Sequence, residues 1–316
     1  LRWLCRKRVT ESKRKDKMKE GLHIVGMGHY APEHVVTNDD LSKIVDTNDE
    51  WISSRTGIRR RHFITEEKNQ DMAKMAIEDA GIDKTEIGVV IVATIRPDHM
   101  TPSVACMVQK ELELPQDIPC FDINAACSGF MYGVQIARGM LLQSDKKYGV
   151  VIGSETLSKI LDMNDRSTCI LFGDGAGAAV VELSDTHRYF SILGAKGDDV
   201  VLECSNEDLK PRHVSMLGSE VFKFAVSTVP KTVMQLLEKA GVTADDIDLY
   251  VCHQANKRII ESVAKKCKQS MDKFYINLDE YGNTSSASIP IALSEMNQKG
   301  MIKPGMKLIC VGFGGG

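Results

Sequence analysis

No stretch of this 316-residue chain approaches the roughly 20 consecutive apolar residues that a membrane span requires, and the N-terminus lacks the apolar core of a secretory signal. CxxC pairs are missing too. The nine cysteines (5, 106, 120, 127, 169, 204, 252, 267 and 310) are scattered, and no Cys/His cluster has metal-ligand spacing, which argues against a zinc site. Scattered thiols inside apolar patterns fit a reduced, cytoplasmic compartment. With 43% apolar and 26% charged residues, nothing suggests disorder over most of the length, and the chain can bury one large core or two fused ones.

The net charge of −3 hides an asymmetry. Residues 1–20 hold nine Lys/Arg against three Asp/Glu, so this tail is +6 and the remainder −9. A basic tail can bind nucleic acid or anionic lipid. The plainer reading is a disordered extension or a mis-set start, because Met18-Lys-Glu-Gly runs straight into a strand at Leu22–Val25 and looks like a natural beginning.

Further along, Thr37-Asn38-Asp39-Asp40-Leu41 reads as a helix start, followed by a short helical segment with Trp51 and Arg55. Gln70–Ala80 has helical apolar spacing and ends at Gly81. Val89–Thr94 is a run β-branched at every position but Ala93, the pattern of a strand buried on both faces. A helix over Ser103–Leu114 and strands at Tyr148–Ile152 and Ala178–Leu183 complete this half. FGDGAGA (172–178) looks like a phosphate loop but leads into a strand, which disfavours phosphate binding.

The chain also repeats. DAGIDKTEIGVVIVAT (79–94) matches KAGVTADDIDLYVCHQ (239–254), and KYGVVIGSE (147–155) matches KLICVGFGG (307–315), both at an offset of 160. Two helix–strand units displaced identically imply an α/β half duplicated and fused, each half with a mostly parallel sheet. Residues 21–185 form the first half and 186–316 the second. The first half continues past Glu155 into a strand that has no counterpart after Gly316, so a last C-terminal strand is expected to be missing.

Three residues stand where chemistry is possible. FDINAACSGF (121–130) is a buried strand turning directly into a helix, which sets Cys127 at a helix N-terminus. There, backbone N–H groups and the helix dipole favour the thiolate, although a cysteine among alanines is ordinarily a small buried hydrophobe. CHQAN (252–256) ends a strand and opens a helix, and GNTSSAS (282–288) has the same layout. Singly, a strand-end histidine is most often structural and Gly-Asn-Thr is most often a turn. Cys127, His253 and Asn283 nevertheless all fall at the carboxyl edge where ligands gather in open α/β sheets. A thiolate can take an acyl group from a thioester, and a neutral His with an Asn can hydrogen-bond an enolate oxygen. Loss of CO2 from a β-carboxy thioester then makes the carbanion without a strong base.

The motifs TNDDLSKIVDTNDEWISSRTGI, AACSGF, DRSTCILFGDGAGAAV, SMLGSEVFKFAV, CHQANKRII, GNTSSASIP and FGGG occur in this order. Over residues 21–316 the chain resembles the β-ketoacyl-acyl-carrier-protein synthase III family, initiating condensing enzymes of bacterial type II fatty acid synthesis with a thiolase fold. The resemblance implies a five-layer α-β-α-β-α arrangement and a Cys127–His253–Asn283 triad. It also implies an oxyanion hole from the backbone N–H groups of Cys127 and Gly315. Acyl-CoA would acylate Cys127, and malonyl-acyl carrier protein would decarboxylate and attack. Trp51 would stack on the CoA adenine with Arg166 on its other face, Arg55 would be an anion partner, and Gly218 and Asn256 would line the pantetheine tunnel. Lys223, Arg258, Lys265 and Lys266 fall where the family has its carrier-protein patch, and Lys257–Lys268 contains five Lys/Arg against one Glu. The family is homodimeric, and Thr101 stands where some members reach across the dimer into the primer pocket. No cofactor is implied, since CoA thioesters are substrates. The family normally continues after FGGG into a last core strand.

Other readings remain. A degradative or biosynthetic thiolase needs a second cysteine in the C-terminal Gly-rich loop, and Cys310 comes too early. A type III polyketide synthase or another acyl-CoA condensing enzyme would use the same triad, but HQAN and the basic helix disfavour it. An inactive truncated copy is the reading outside enzymology.

Overall fold

The computed structural model describes residues 21–315 apart from residues 82, 205, 208, 209 and 212; the basic segment 1–20 and its Met18, with Gly316, lie outside the described residues. The described residues open with β1 (Gly21–Tyr30) and a small antiparallel pair, β2 (Val35–Thr37) with β3 (Arg60–His62). β1 joins β4 (Ile87–Ala93), β5 (Cys120–Ile123), β6 (Tyr148–Glu155) and β7 (Gly175–Ser184) in a five-stranded sheet ordered β1-β7-β6-β4-β5. Two short antiparallel pairs follow. β8 (Leu202–Glu203) meets β11 (Ser215–Met216), and β9 (Asn206–Glu207) meets β10 (Lys210–Pro211). Last come the parallel strands β12 (Leu249–Cys252) and β13 (Leu308–Val311).

Among the described residues ten α-helices connect them: α1 (Asn38–Leu41), α2 (Asp49–Thr56), α3 (Asn69–Ala80), α4 (Val104–Glu111), α5 (Gly129–Leu141), α6 (Arg166–Cys169), α7 (Gly218–Ala240), α8 (Lys257–Lys266), α9 (Leu278–Tyr281) and α10 (Ser288–Gln298). Their starts follow local chemistry. The Thr37 hydroxyl accepts the Asp40 N–H while the Asp40 carboxylate accepts the Thr37 N–H, and Ser103 and Asn48 cap α4 and α2 with side-chain oxygens. Gly81 ends α3 in the left-handed region, as glycine allows.

The layers follow from strands buried on both faces. On one face of the first sheet Val90, Val92, Val150, Ile152, Ala178 and Val180 pack under α3 and α4. On the other, Val89, Ile91, Val151, Ala179 and Val181 pack against α5 and α10. The far side of that central helical layer meets Leu249 and Val251 of β12, whose alternate residues Tyr250 and Cys252 face α7 and α8. Alternation along each strand thus gives five layers, α-β-α-β-α. One expectation needs correcting: the first sheet is mixed, because β7 runs antiparallel to both β6 and β1.

Close approaches seat the central helices. A Cβ on Gly153 would stand 2.2 Å from the Ser286 carbonyl oxygen, and one on Gly129 would stand 2.8 Å from the Ala93 Cβ. Only glycine lets the leading turns of α10 and α5 descend onto β6 and β4, and there the two turns touch each other.

Candidate active site

Cys127 lies in the short 3-10 turn Ala126–Ser128 between β5 and α5, and it is buried. Ala126 before it is held at φ 43°, and Ser285 across from it at φ 49°, both left-handed positions that non-glycine residues occupy only when the surroundings hold them there. The Ser285 Oγ lies 3.6 Å from the Cys127 sulfur. A Cβ on Gly314 would stand 2.6 Å from that sulfur, so the FGGG loop closes on it because it has no side chains.

His253 follows β12, its backbone N–H donating to the Val311 carbonyl at 2.8 Å. Its Nδ1 sits 2.6 Å from the Ser288 Oγ at the start of α10, and its ring meets Phe313 edge-on at 5.3 Å. The Ser288 Oγ also accepts the Gln254 N–H at 3.4 Å; in the tautomer where Ser288 donates to Nδ1, the imidazole carries its hydrogen on Nε2. Asn283 is pinned by its N–H to the Leu171 carbonyl at 2.8 Å, and its Oδ1 accepts the Ser285 N–H at 2.9 Å, which leaves the NH2 as the donor end.

All three side chains line one cavity of about 970 Å³. Half-buried Trp51 and exposed Arg55 line it too, so it runs from the surface down to the sulfur. Gly218, the first residue of α7, and Asn256, the N-cap of α8, are in its wall, with the Asn256 amide also tied to the Arg55 carbonyl at 3.1 Å. The guanidiniums of Arg55 and Arg166 lie over the Trp51 ring at 4.5 and 4.9 Å. Lys223 and Arg258 are wall residues. Lys223 pairs with Glu220 at 2.7 Å, and Arg258 lies over Phe222. Lys265, Lys266 and Thr101 are exposed and outside the wall, and the Lys266 ammonium donates to the Val226 carbonyl.

The electrostatics correct one expectation. Burial pushes the Cys127 thiol up, aided by the Glu155 carboxylate, and the Ser285 hydroxyl and the N–H groups of Gly315 and Cys127 itself only partly oppose this. The helix terminus therefore does not hold a resting thiolate, because a buried charge loses more hydration than a few N–H groups return. The same N–H groups at the sulfur suit an oxyanion formed beside it. Burial alone lowers His253 to about 3, so the ring is neutral. Ser285, Ser288 and Phe313 went unassigned from sequence. The signal for the serines lay inside GNTSSAS itself, where hydroxyls recur on the turn that opens a helix.

With this geometry in view, the likenesses to known proteins are decisive. The profile of the 3-oxoacyl-[acyl-carrier-protein] synthase III C-terminal region matches residues 237–316, and that of 3-oxoacyl-[acyl-carrier-protein] synthase III matches residues 121–197. The β-ketoacyl-[acyl-carrier-protein] synthase III of Clostridium acetobutylicum is 48% identical, with 93% of this chain and 95% of that protein aligned. The chain belongs to the β-ketoacyl-[acyl-carrier-protein] synthase III family. Its counterpart in Acholeplasma laidlawii is 50% identical at 93% and 95% coverage. The solved synthase III of Pseudomonas aeruginosa superposes with a TM-score of 0.86 at 34% identity, over 94% of this chain and 95% of that one. This synthase III chain is accordingly a condensing acyltransferase with the thiolase fold. Among the described residues no group of three or more His, Cys, Asp or Glu could hold a metal, and no helix is long and apolar enough to cross a membrane.

Proposed function

We propose that an acyl-CoA acylates Cys127, and that malonyl-acyl carrier protein then loses CO2 under His253 and Asn283 and attacks the acyl-enzyme. The products are 3-oxoacyl-acyl carrier protein, CoA and CO2. The observation that carries this reading is the single cavity joining Cys127, His253 and Asn283 to the surface at Trp51 and Arg55. As the sulfur attacks, the N–H groups of Cys127 and Gly315 receive the carbonyl oxygen. In the second step the His253 Nε2–H and the Asn283 NH2 receive the enolate oxygen, and the departing CO2 leaves the electron pair that forms the new carbon–carbon bond.

Supplied with acetyl-CoA and either malonyl-acyl carrier protein or malonyl-CoA, the purified protein is expected to condense only with the carrier-borne substrate. Product from malonyl-CoA alone would move the assignment to a polyketide-type synthase. Trp51→Ala should raise KM for acyl-CoA about 10-fold at nearly constant kcat, because the stacking contact is remote from the reacting atoms. A short pantetheine-type thioester without adenine should not register that change.

An acidic carrier protein suits the Lys223, Arg258, Lys265 and Lys266 face on α7 and α8. Charge reversal at Lys265, exposed and away from the cavity wall, should raise KM for malonyl-acyl carrier protein about 5-fold at low salt and less at high salt, with acyl-CoA kinetics unaffected. The reading includes a homodimer in a cytoplasmic setting: β5 is an edge strand of the first sheet, and Met100, 94% exposed, adjoins Thr101. It also takes residues 21–185 and 186–316 as the two duplicated halves.

A further inference from the structure

Arg61, the middle residue of β3, is fully buried and does not line the cavity. Its guanidinium meets three oxygens, none of them a carboxylate. Nη1 donates to the Val36 carbonyl at 3.2 Å and to the Asn38 Oδ1 at 2.9 Å, and Nη2 donates to the Ile170 carbonyl at 2.6 Å. Burial pushes the group down to about 10, which still leaves it charged at neutral pH. A buried cation without a counter-charge is costly, and an apolar side chain of similar volume would fill the same space. What the guanidinium alone supplies is a planar fork that fixes oxygens from three separate segments at once.

One arm of the fork leads to Asn283. Ile170 closes α6, and residues 171–173 hold the main chain of Asn283 from both sides: its N–H donates to the Leu171 carbonyl at 2.8 Å, and its carbonyl accepts the Gly173 N–H at 3.0 Å. The stem of Arg61 packs directly against this pairing, since a Cβ on Gly173 would stand 3.1 Å from the Arg61 Cβ and one on Gly282 would stand 3.3 Å from it. The other arm leads to the cavity mouth. Asn38, whose Oδ1 faces the guanidinium, donates through Nδ2 to the Ile58 carbonyl and to the Asp49 carboxylate, both at 2.8 Å. Asp49 is the first residue of α2, which carries Trp51 and Arg55, and α6 brings Arg166 to the same ring.

We propose that Arg61 is a positioning residue that holds the Asn283 carboxamide on the enolate oxygen, and that through Asn38 it keeps this donor in register with the helix at the cavity mouth. A shift of the Ile170 carbonyl moves residues 171–173, and with them the backbone that aims the Asn283 NH2. His253 is held by Val311 and Ser288, and Cys127 sits in the turn before α5, so neither depends on the fork. A change at Arg61 is therefore directed at one donor and not at the sulfur. This rests on the reading that Asn283 meets the enolate.

The test separates two half-reactions in the full chain. Acylation of Cys127 at saturating acetyl-CoA is followed by rapid quench and intact mass, and CO2 release from malonyl-acyl carrier protein is followed separately. Both rates are counted per Cys127 that can be acylated, so a smaller folded fraction does not register. Arg61→Lys keeps the charge but cannot span three oxygens, and it is expected to lower kcat for CO2 release about 30-fold, with KM for malonyl-acyl carrier protein and the acylation rate each within about 3-fold. In an Asn283→Asp background, where the donor is already gone, the same substitution should cost less than about 3-fold. Asn38→Leu, which removes one of the three oxygens, should lower CO2 release about 5-fold with the same selectivity, and it decides alone if Arg61→Lys does not fold. Equal falls in the two half-reactions, an undiminished loss in the Asn283→Asp background, or unaltered CO2 release in both variants overturns the proposal. Asn283→Asp that leaves CO2 release untouched removes Asn283 from the enolate and sinks the underlying reading, an outcome distinct from a silent Arg61→Lys beside an impaired Asn283→Asp.

Discussion

Cys127→Ala is expected to lower acyl transfer from acyl-CoA by at least about 10⁴-fold, while decarboxylation of malonyl-acyl carrier protein stays within roughly 10-fold of the parent. The first effect is large because a covalent route has no substitute nucleophile at that point. Ser285 is the neighbouring oxygen, but an ordinary alcohol is far less nucleophilic than sulfur. The second effect is small because the groups that meet the enolate, His253 and Asn283, are held by Ser288, Leu171 and Val311 and not by the sulfur. Stability should change by less than about 1 kcal/mol, since one sulfur is replaced by hydrogen at a wall already facing a cavity. Intact mass after incubation with acetyl-CoA and CO2 release measured in parallel check both halves. A variant that still acquires an acyl group at a single site would remove Cys127 from its role.

Much of this site was legible because each of its parts interrupts a strong pattern. The apolar run at Val89–Thr94 reads as a strand buried on both sides, and β4 is one. The small residues after Ile123 read as a junction, and Cys127 occupies it. What escaped the sequence escaped for physical reasons. A parallel neighbour for β6 would need a helix crossing the sheet face. The segment between Glu155 and Gly175 instead spends its length on the turn Leu157–Ile160 and on α6, which carries Arg166 to Trp51, so β7 returns antiparallel. The pairs β8–β11 and β9–β10 are two residues long per strand, too short for any periodicity, yet Leu202, Glu203 and Met216 wall the cavity. Glu155 ends an apolar strand, and the residues around it in sequence do not show that it is buried. Only the descent of α10 onto Gly153 encloses it, and that is a tertiary event. The same enclosure reversed the expectation of a resting thiolate, because local sequence displays the helix N-terminus and hides the loss of water.

The second large effect concerns carbon dioxide. His253→Ala and Asn283→Asp are each expected to lower CO2 release about 10² to 10³-fold, or roughly 2.7 to 4 kcal/mol of transition-state stabilisation, while Cys127 is still acylated. Asp is the sharper probe at 283: its carboxylate keeps the oxygen that accepts the Ser285 N–H, so the turn beneath Cys127 persists, but it removes the NH2 donor and faces the enolate with like charge. The double variant should lose less than the product of the single losses, since two donors serve one oxygen. The imidazole must be a neutral donor for this account, and its pH behaviour tests that. Held near 3 in the folded protein against 6.5 when unfolded, His253 stays uncharged from about pH 5 upward, and CO2 release should show no inflection attributable to it between roughly pH 5 and 8. The unfolded chain binds the proton first, so the fold loses stability as pH falls from about 6.5 toward 3, and His253→Gln should lessen that acid sensitivity. An imidazolium inflection near 6.5 in the CO2-release profile, absent from His253→Gln, would mean that the ring works as a charged acid and would overturn the neutral donor that burial favours.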